Sequence, residues 1–166
     1  MIAACFVIIS CKQQVQELEQ VPFNQNEESS GKQFSQSDFF GENGDVVFLV
    51  DGKVDLSLIL FSDDLAHYYN TEFPNGKRIY FFIIKDKNGI YRAAANACQV
   101  CYGARMGFRQ EGSFMVCNTC GNRYPLEKIA TEKGGCNPGP INPNLEIRDD
   151  KAIIIQSDLE QVAELF

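Results

Sequence analysis

The sequence predicts a mainly β fold: a small antiparallel sheet or sandwich with two Cys-x-x-Cys hairpin loops and a short C-terminal helix. Three observations lead there. From Val46 to Gln156, short β-branched and aromatic runs alternate with Asp-Gly, Asn-Gly and Glu-Gly turn signals. Helical spacing is confined to the last ten residues, Ser157 to Phe166. The cysteines sit where strands end: Cys98-Gln-Val-Cys101, fifteen residues, Cys117-Asn-Thr-Cys120, fifteen residues, then Cys136.

The 166 residues suffice for one domain with its own core but are short for two. A net charge of −7 argues against a nucleic-acid partner, because phosphate contact needs a clustered positive surface. No apolar run approaches the roughly 20 residues of a membrane-spanning helix. No Ser/His/Asp arrangement, phosphate-binding glycine loop or HExxH is present, which sets most enzyme classes aside.

In chain order, residues 1–10 read as a lipoprotein signal peptide. Ile2 to Ile9 carries no charge and leads into Ile8-Ile9-Ser10-Cys11. That run resembles a bacterial lipobox, with Ser10 the small residue before the cut and Cys11 the lipidated residue. No Lys or Arg precedes it, a departure that a start codon assigned too far downstream would explain. Residues 11–45, rich in Gln, Glu, Asn and Ser, read as a flexible tether that buries too little apolar area to offset its entropy. The metal-binding β domain is then 46–166, in a protein lipid-anchored in the cell envelope, outside the cytoplasm.

Within that domain, Val46 to Val50 reads as a strand and Asp51-Gly52 as a hairpin turn. Val54, Leu56 and Leu58 alternate with polar neighbours, and Ala66 to Phe73 is a strand closed by Asn75-Gly76. Arg78 to Lys85, apolar on both faces, is a central strand. After Asp86 to Gly89, the strand from Ile90 runs straight into Cys98. Glu111-Gly112 and Ser113 to Val116 deliver Cys117 in the same way. Pro125 to Ile129 reads as one helical turn. Ala130 to Asn144, with three Gly and three Pro, reads as an irregular loop. Leu145 to Ile147 and Ala152 to Gln156 form a last hairpin across Asp149-Asp150. Ser157 and Glu160 form a capping box, followed by a helical face of Leu159, Val162, Ala163 and Phe166.

Two Cys-x-x-Cys loops at this separation point to a metal site, because each loop turns two sulfurs toward one atom. Cys98, Cys101, Cys117 and Cys120 offer four thiolates, the ligand set of a structural Zn²⁺ or an iron–sulfur centre. Gly121 tightens the second loop, and Gly103 is expected to serve the first in the same way. Cys136, between Gly134-Gly135 and Asn137-Pro138, adds a fifth thiol as a further candidate ligand. Disulfides are one alternative, since an envelope location favours thiol oxidation. Thioredoxin-like exchange is another, but it needs a Cys-x-x-Cys at a helix start, whereas both pairs here follow strands. His67 reads as a sheet-packing residue, and Met106 and Met115 as core filling.

A resemblance joins this reading over about Leu65 to Ile141, nearly half of the chain. Ala66-His67-Tyr68-Tyr69, Tyr80-Phe81-Phe82, Ala94 to Tyr102, Gly107 to Gly112, Val116 to Asn122 and Gly134 to Pro138 together resemble the FtrD-like membrane iron–sulfur proteins. The resemblance implies an iron–sulfur cluster, with Cys136 within the motif, and a role in electron transfer linked to bacterial iron transport. It also implies redox or iron-transport membrane proteins as partners. Many members carry transmembrane helices ahead of this domain, which a lipid on Cys11 would replace here. The order of hairpins and cysteine loops is more distantly similar to Rieske iron–sulfur domains. Their two histidine ligands would both be cysteine here, since His67 is the single histidine of the chain. Two functions follow. One is an iron–sulfur electron carrier rather than an enzyme with its own substrate. The other is a non-redox binding module with a structural four-cysteine zinc site or disulfides.

Overall fold

The structure, a computed structural model, describes residues 38–166. The signal-peptide reading, Cys11 and most of the tether lie outside those residues.

The fold hangs on β4, Arg78–Lys85, buried from Ile79 to Ile84. A strand apolar on both faces needs cover on both sides. Ile79, Phe81 and Ile83 enter one core, and Phe82 and Ile84 enter another. Around it lie β1 (Asp45–Val46), β3 (His67–Glu72), β5 (Tyr91–Cys98) and β9 (Pro138–Asn142), in the order β1-β3-β4-β5-β9. All pairings are antiparallel except the two-residue β1, which runs parallel to β3.

The first core is closed by a three-stranded sheet, β10-β11-β2, built from β2 (Lys53–Ser57), β10 (Glu146–Arg148) and β11 (Lys151–Ile155). Val54, Leu56, Ala152 and Ile154 meet Phe61, Leu159 and Val162 there. The second core is closed by the cysteine-bearing sheet of β6 (Phe108–Glu111), β7 (Phe114–Cys117) and β8 (Arg123–Pro125). Phe108, Met115 and Cys117 pack with Leu126 and Ile129 under Phe82 and Ile84. The result is three layers around one shared sheet.

β5 explains how closely the layers approach. Ala93, Ala95 and Ala97 face the first core, and Ala94 and Cys98 the second. Among these small side chains, Asn96 is fully buried with both ends satisfied. Its Oδ1 accepts from Phe108 N at 2.7 Å, and its Nδ2 donates to Glu42 O at 2.9 Å. Gly107, at φ +62°, sits against this amide; an added Cβ would lie 2.6 Å from Asn96 Oδ1.

Several turns follow the residue logic of the sequence. Asp51 and Gly52 both take positive φ, as do Asp149 and Asp150, the backbone that a two-residue hairpin with strand-matching twist requires. Asp86 Oδ1 accepts from Asn88 N and Ile90 N at 2.9 and 3.0 Å, while Gly89 takes positive φ.

Five expectations need correction. Val46 to Val50 is not a continuous strand: only Asp45–Val46 pairs with β3, and Val50 makes a single bridge to Lys53. The 130–144 segment is not wholly irregular, because Pro138–Asn142 adds β9 at the edge of the sheet, where prolines need no donor partner. Ser157 is not a cap. The helix α1, Gln156–Glu160, starts two residues earlier than a Ser157 cap would set it, with Ile155 as N-cap and no side-chain cap bond. The chain then tightens into a 3₁₀ turn, Ala163–Leu165, so Leu165 joins Leu159 and Val162 inside. Finally, packing extends upstream of Val46. Phe39 stacks on Tyr80 at 4.1 Å, and Asn70 Nδ2 donates to Asn43 O.

A buried ion pair locks the β4–β5 turn to the cysteine side. Arg92 Nε donates to Asp86 Oδ2 at 2.9 Å, and its Nη1 reaches Ile129 O at 3.2 Å. Burial works against the Asp86 charge, but donors from Ile90, Arg92 and Asn88 outweigh it and hold the carboxyl below its usual range. Asp86→Ala is expected to cost about 3 to 5 kcal/mol in urea unfolding, because it leaves Arg92 buried and unpaired. The Asp86 contribution is complete above the unfolded carboxyl value of 3.8 and is lost as pH falls through the lower folded value. Asp86→Asn should therefore flatten the pH dependence of stability below about 4. Gly107→Ala should lower stability by at least about 1 kcal/mol, combining positive φ with the Asn96 clash. Gly103→Ala, with open space around it, should stay within about 0.5 kcal/mol.

Candidate metal centre

Three chain segments converge on one point. The first is the end of β5, which carries Cys98 and leads to Cys101. The second is the end of β7, which carries Cys117 and leads to Cys120. The third is the loop before β9, whose register sets Cys98 opposite Pro138. That pairing plants Cys136, two residues earlier in the chain, beside Cys98, with the sulfurs 3.3 Å apart. Gln99 N donates to Asn137 O at 3.0 Å, and Gln99 Oε1 accepts from Gly134 N at 2.9 Å. The Gly134-Gly135 loop is thus laced to the first Cys-x-x-Cys.

The Sγ atoms of Cys98, Cys101, Cys117 and Cys136 all lie within 4.8 Å of one another. Cys120 stands at the rim, its sulfur 2.8 Å from that of Cys136. All five sequence candidates are therefore brought together, and all are free thiols. Cys98 and Cys117 are buried, Cys101 and Cys136 half-buried, and Cys120 exposed. Cys11 lies outside the described residues.

Both loops close as their sequences require. Cys101 N points at Cys98 Sγ, 3.3 Å away. Gly121, at φ +74°, donates to Cys117 O at 2.9 Å, and Cys117 N donates to Asn122 O. In the first loop the left-handed position belongs to Arg105, at φ +54°, and not to Gly103. Asn118 Nδ2 donates to Met106 O and Asn118 N to Gly107 O, which joins the two loops. Asn122 Nδ2 holds Cys136 O at 2.9 Å.

The electrostatics reflect crowding. Burial pushes the Cys117 thiol up against the N–H groups of Cys120 and Thr119. Cys101 is pushed up to about 12, by burial first and then by Cys120 and Cys98. Cys136 is raised by burial and by its contacts with Cys120 and Cys98. Cys120 is lowered to about 7, chiefly by the hydrogen bond with Cys136 and the Asn122 N–H. Thiols this close cannot all ionise unless a cation sits among them, and a cation would draw them all to thiolate. The four sulfurs form a set that could hold a metal ion, and backbone N–H groups such as that of Cys101 favour the thiolate form. A tetrahedral ion with bonds of about 2.3 Å spaces its sulfurs about 3.8 Å apart, within the observed spread.

Other candidates fall away. His67 Nε2 meets Asp63 Oδ1 at 2.9 Å, and its ring packs edge-on to Phe61, as a sheet residue should. Met115 fills the second core, but Met106 is exposed, contrary to the expectation of core filling. Sequence reasoning missed Asn96, Gln99 and Asn122. Amides before, in and after the cysteine motifs gave no spacing signal, and their contacts lie 12 to 54 residues away in the chain.

No curated protein and no solved structure matches this chain. The Rieske-like architecture thus rests on the order of elements alone. Among the described residues, no helix is long and apolar enough to cross a membrane. Residues 61–166 match the family described as "Membrane iron-sulfur containing protein FtrD-like". That match spans more than half of the chain and every cysteine of the convergent site, and the chain belongs to the FtrD-like family of membrane iron–sulfur proteins.

Proposed function

We propose that this protein is an iron–sulfur electron carrier of the bacterial cell envelope, lipid-anchored through Cys11, that serves electron transfer linked to iron transport. The observation that carries the reading is the gathering of five thiols from three segments, in a family described as iron–sulfur. Its partners are the membrane, through the anchor, and redox or iron-transport membrane proteins.

Iron bound by these thiolates would supply one-electron chemistry without a substrate site. The chain's own residues prepare the pocket. Cys98 and Cys117 present buried sulfurs, and backbone N–H groups aimed at sulfur favour the thiolate form. The half-buried Cys101 and Cys136 lie toward the surface, where a redox partner would approach.

A structural Zn²⁺ is the second reading. It is favoured by the tight spacing, since four sulfurs within 4.8 Å suit a single ion, and a larger cluster needs the loops to spread.

Anaerobic purification with metal analysis, visible absorption and EPR decides between them. Iron with a visible chromophore that bleaches on reduction is expected. Zinc with no chromophore would overturn the electron-carrier reading. Cys98→Ser and Cys117→Ser should each abolish metal retention. Asn122→Ala, which frees the Cys136 carbonyl, should weaken it about tenfold. Cys11→Ser should move the protein from the membrane to the soluble fraction; an unchanged distribution would remove the lipid anchor.

A further inference from the structure

A tetrahedral site has four positions, and five sulfurs converge on this one. The group whose sulfurs lie mutually within 4.8 Å is Cys98, Cys101, Cys117 and Cys136. It takes one sulfur, not two, from the second Cys-x-x-Cys. Cys120 is left over, exposed at the mouth and 2.8 Å from Cys136. Its backbone does not hold it apart from that neighbour. The Cys136 loop turns through Gly134 and Gly135, both at positive φ and both open to space. The Asn122 amide, two residues after Cys120, grips Cys136 O and keeps the two loops in register.

We propose that Cys120 and Cys136 form a reversible disulfide in the metal-free protein, one that withdraws Cys136 from the ligand group. A disulfide needs the sulfurs to close to about 2.05 Å, a shift of less than an ångström for a glycine-borne loop. Cys98 Sγ also approaches Cys136, at 3.3 Å, but Cys98 is buried in a strand and shielded from an external oxidant. The oxidant is a small-molecule or protein disulfide. The Cys120 thiolate attacks one of its sulfurs and releases one thiol. Cys136 then attacks Cys120 in the mixed disulfide, its proton passing to solvent, and releases the second thiol. Two protein thiols are oxidised and one external disulfide is reduced. The bond leaves Cys98, Cys101 and Cys117 with no fourth sulfur, so reduction must precede loading. Only this last consequence rests on the proposed thiolate centre; the disulfide itself needs no metal.

The test uses the full chain, stripped of metal under reducing conditions, freed of reductant and exposed to oxidised glutathione. Remaining thiols are alkylated, and a non-reducing tryptic map is read by mass spectrometry. Cleavage after Arg92, Arg105, Arg109, Arg123, Lys133 and Arg148 separates the three cysteine segments. The expected product joins the peptide 110–123 to the peptide 134–148. It should be lost in Cys120→Ser, and metal-loaded protein should not form it. Linkage within 93–105 or within 110–123, or between 93–105 and either of the other two peptides, as the main product would overturn the proposal. If the disulfide forms as expected but the reduced protein takes up no metal, the proposed function fails while the disulfide stands.

Discussion

The structure turns on the crowding of five thiols into one partly desolvated pocket. Neutral, they are weak hydrogen-bonding partners; ionised, they repel. Either way the arrangement has little to hold it from within, so the scaffold must hold it from outside. It does so with two kinds of restraint. Pairing with β9 and with β6 fixes Cys98 and Cys117 as buried ends of β5 and β7. Amide side chains then tie the loops that follow: Gln99 to Gly134, Asn118 to Met106, Asn122 to Cys136. The three-layer packing around β4 serves this end, because β4 anchors the strand that delivers the first thiol and its second face supports the sheet that delivers the next.

Much of this was legible in the sequence. The Arg78 to Lys85 run announced a strand covered on both sides, and Asp51-Gly52, Asn75-Gly76 and Asp86 to Gly89 marked turns that the backbone confirms with positive φ. The Cys-x-x-Cys pairs declared their own convergence, since two such loops at strand ends have few other uses. The joining of Cys136 to them was less visible. It depends on the Cys98 to Pro138 register, and β9 is hidden by Pro138, Gly139 and Pro140, which read as loop by every local rule. Proline is tolerated there only because the strand lies at the edge, a tertiary fact. The capping box at Ser157 failed for a related reason: pairing of β11 with β2 through Ile155, and the bond from Gln156 N to Gly52 O, fix the helix start before local capping can.

Asn96 shows how a single buried polar residue can coordinate layers. A polyalanine β5 would fit the space and would have no preferred depth against its neighbours. An amide that satisfies Phe108 N on one side and Glu42 O on the other specifies where the cysteine sheet and the upstream segment must sit. The neighbouring Gly107 is the steric complement of that choice. Position is thereby set by hydrogen bonding where apolar packing alone would leave it loose.

The prolines of β9 have a further consequence. Pro138 and Pro140 leave the outer border of the five-stranded sheet without a regular row of N–H donors, and the register there is interrupted. Such a border cannot template a neighbouring chain. Open sheet edges are where proteins recruit copies of themselves, and this one runs beside oxidisable thiols. A border without those donors is a poor place for two molecules to meet edge to edge, where their cysteines could cross-link.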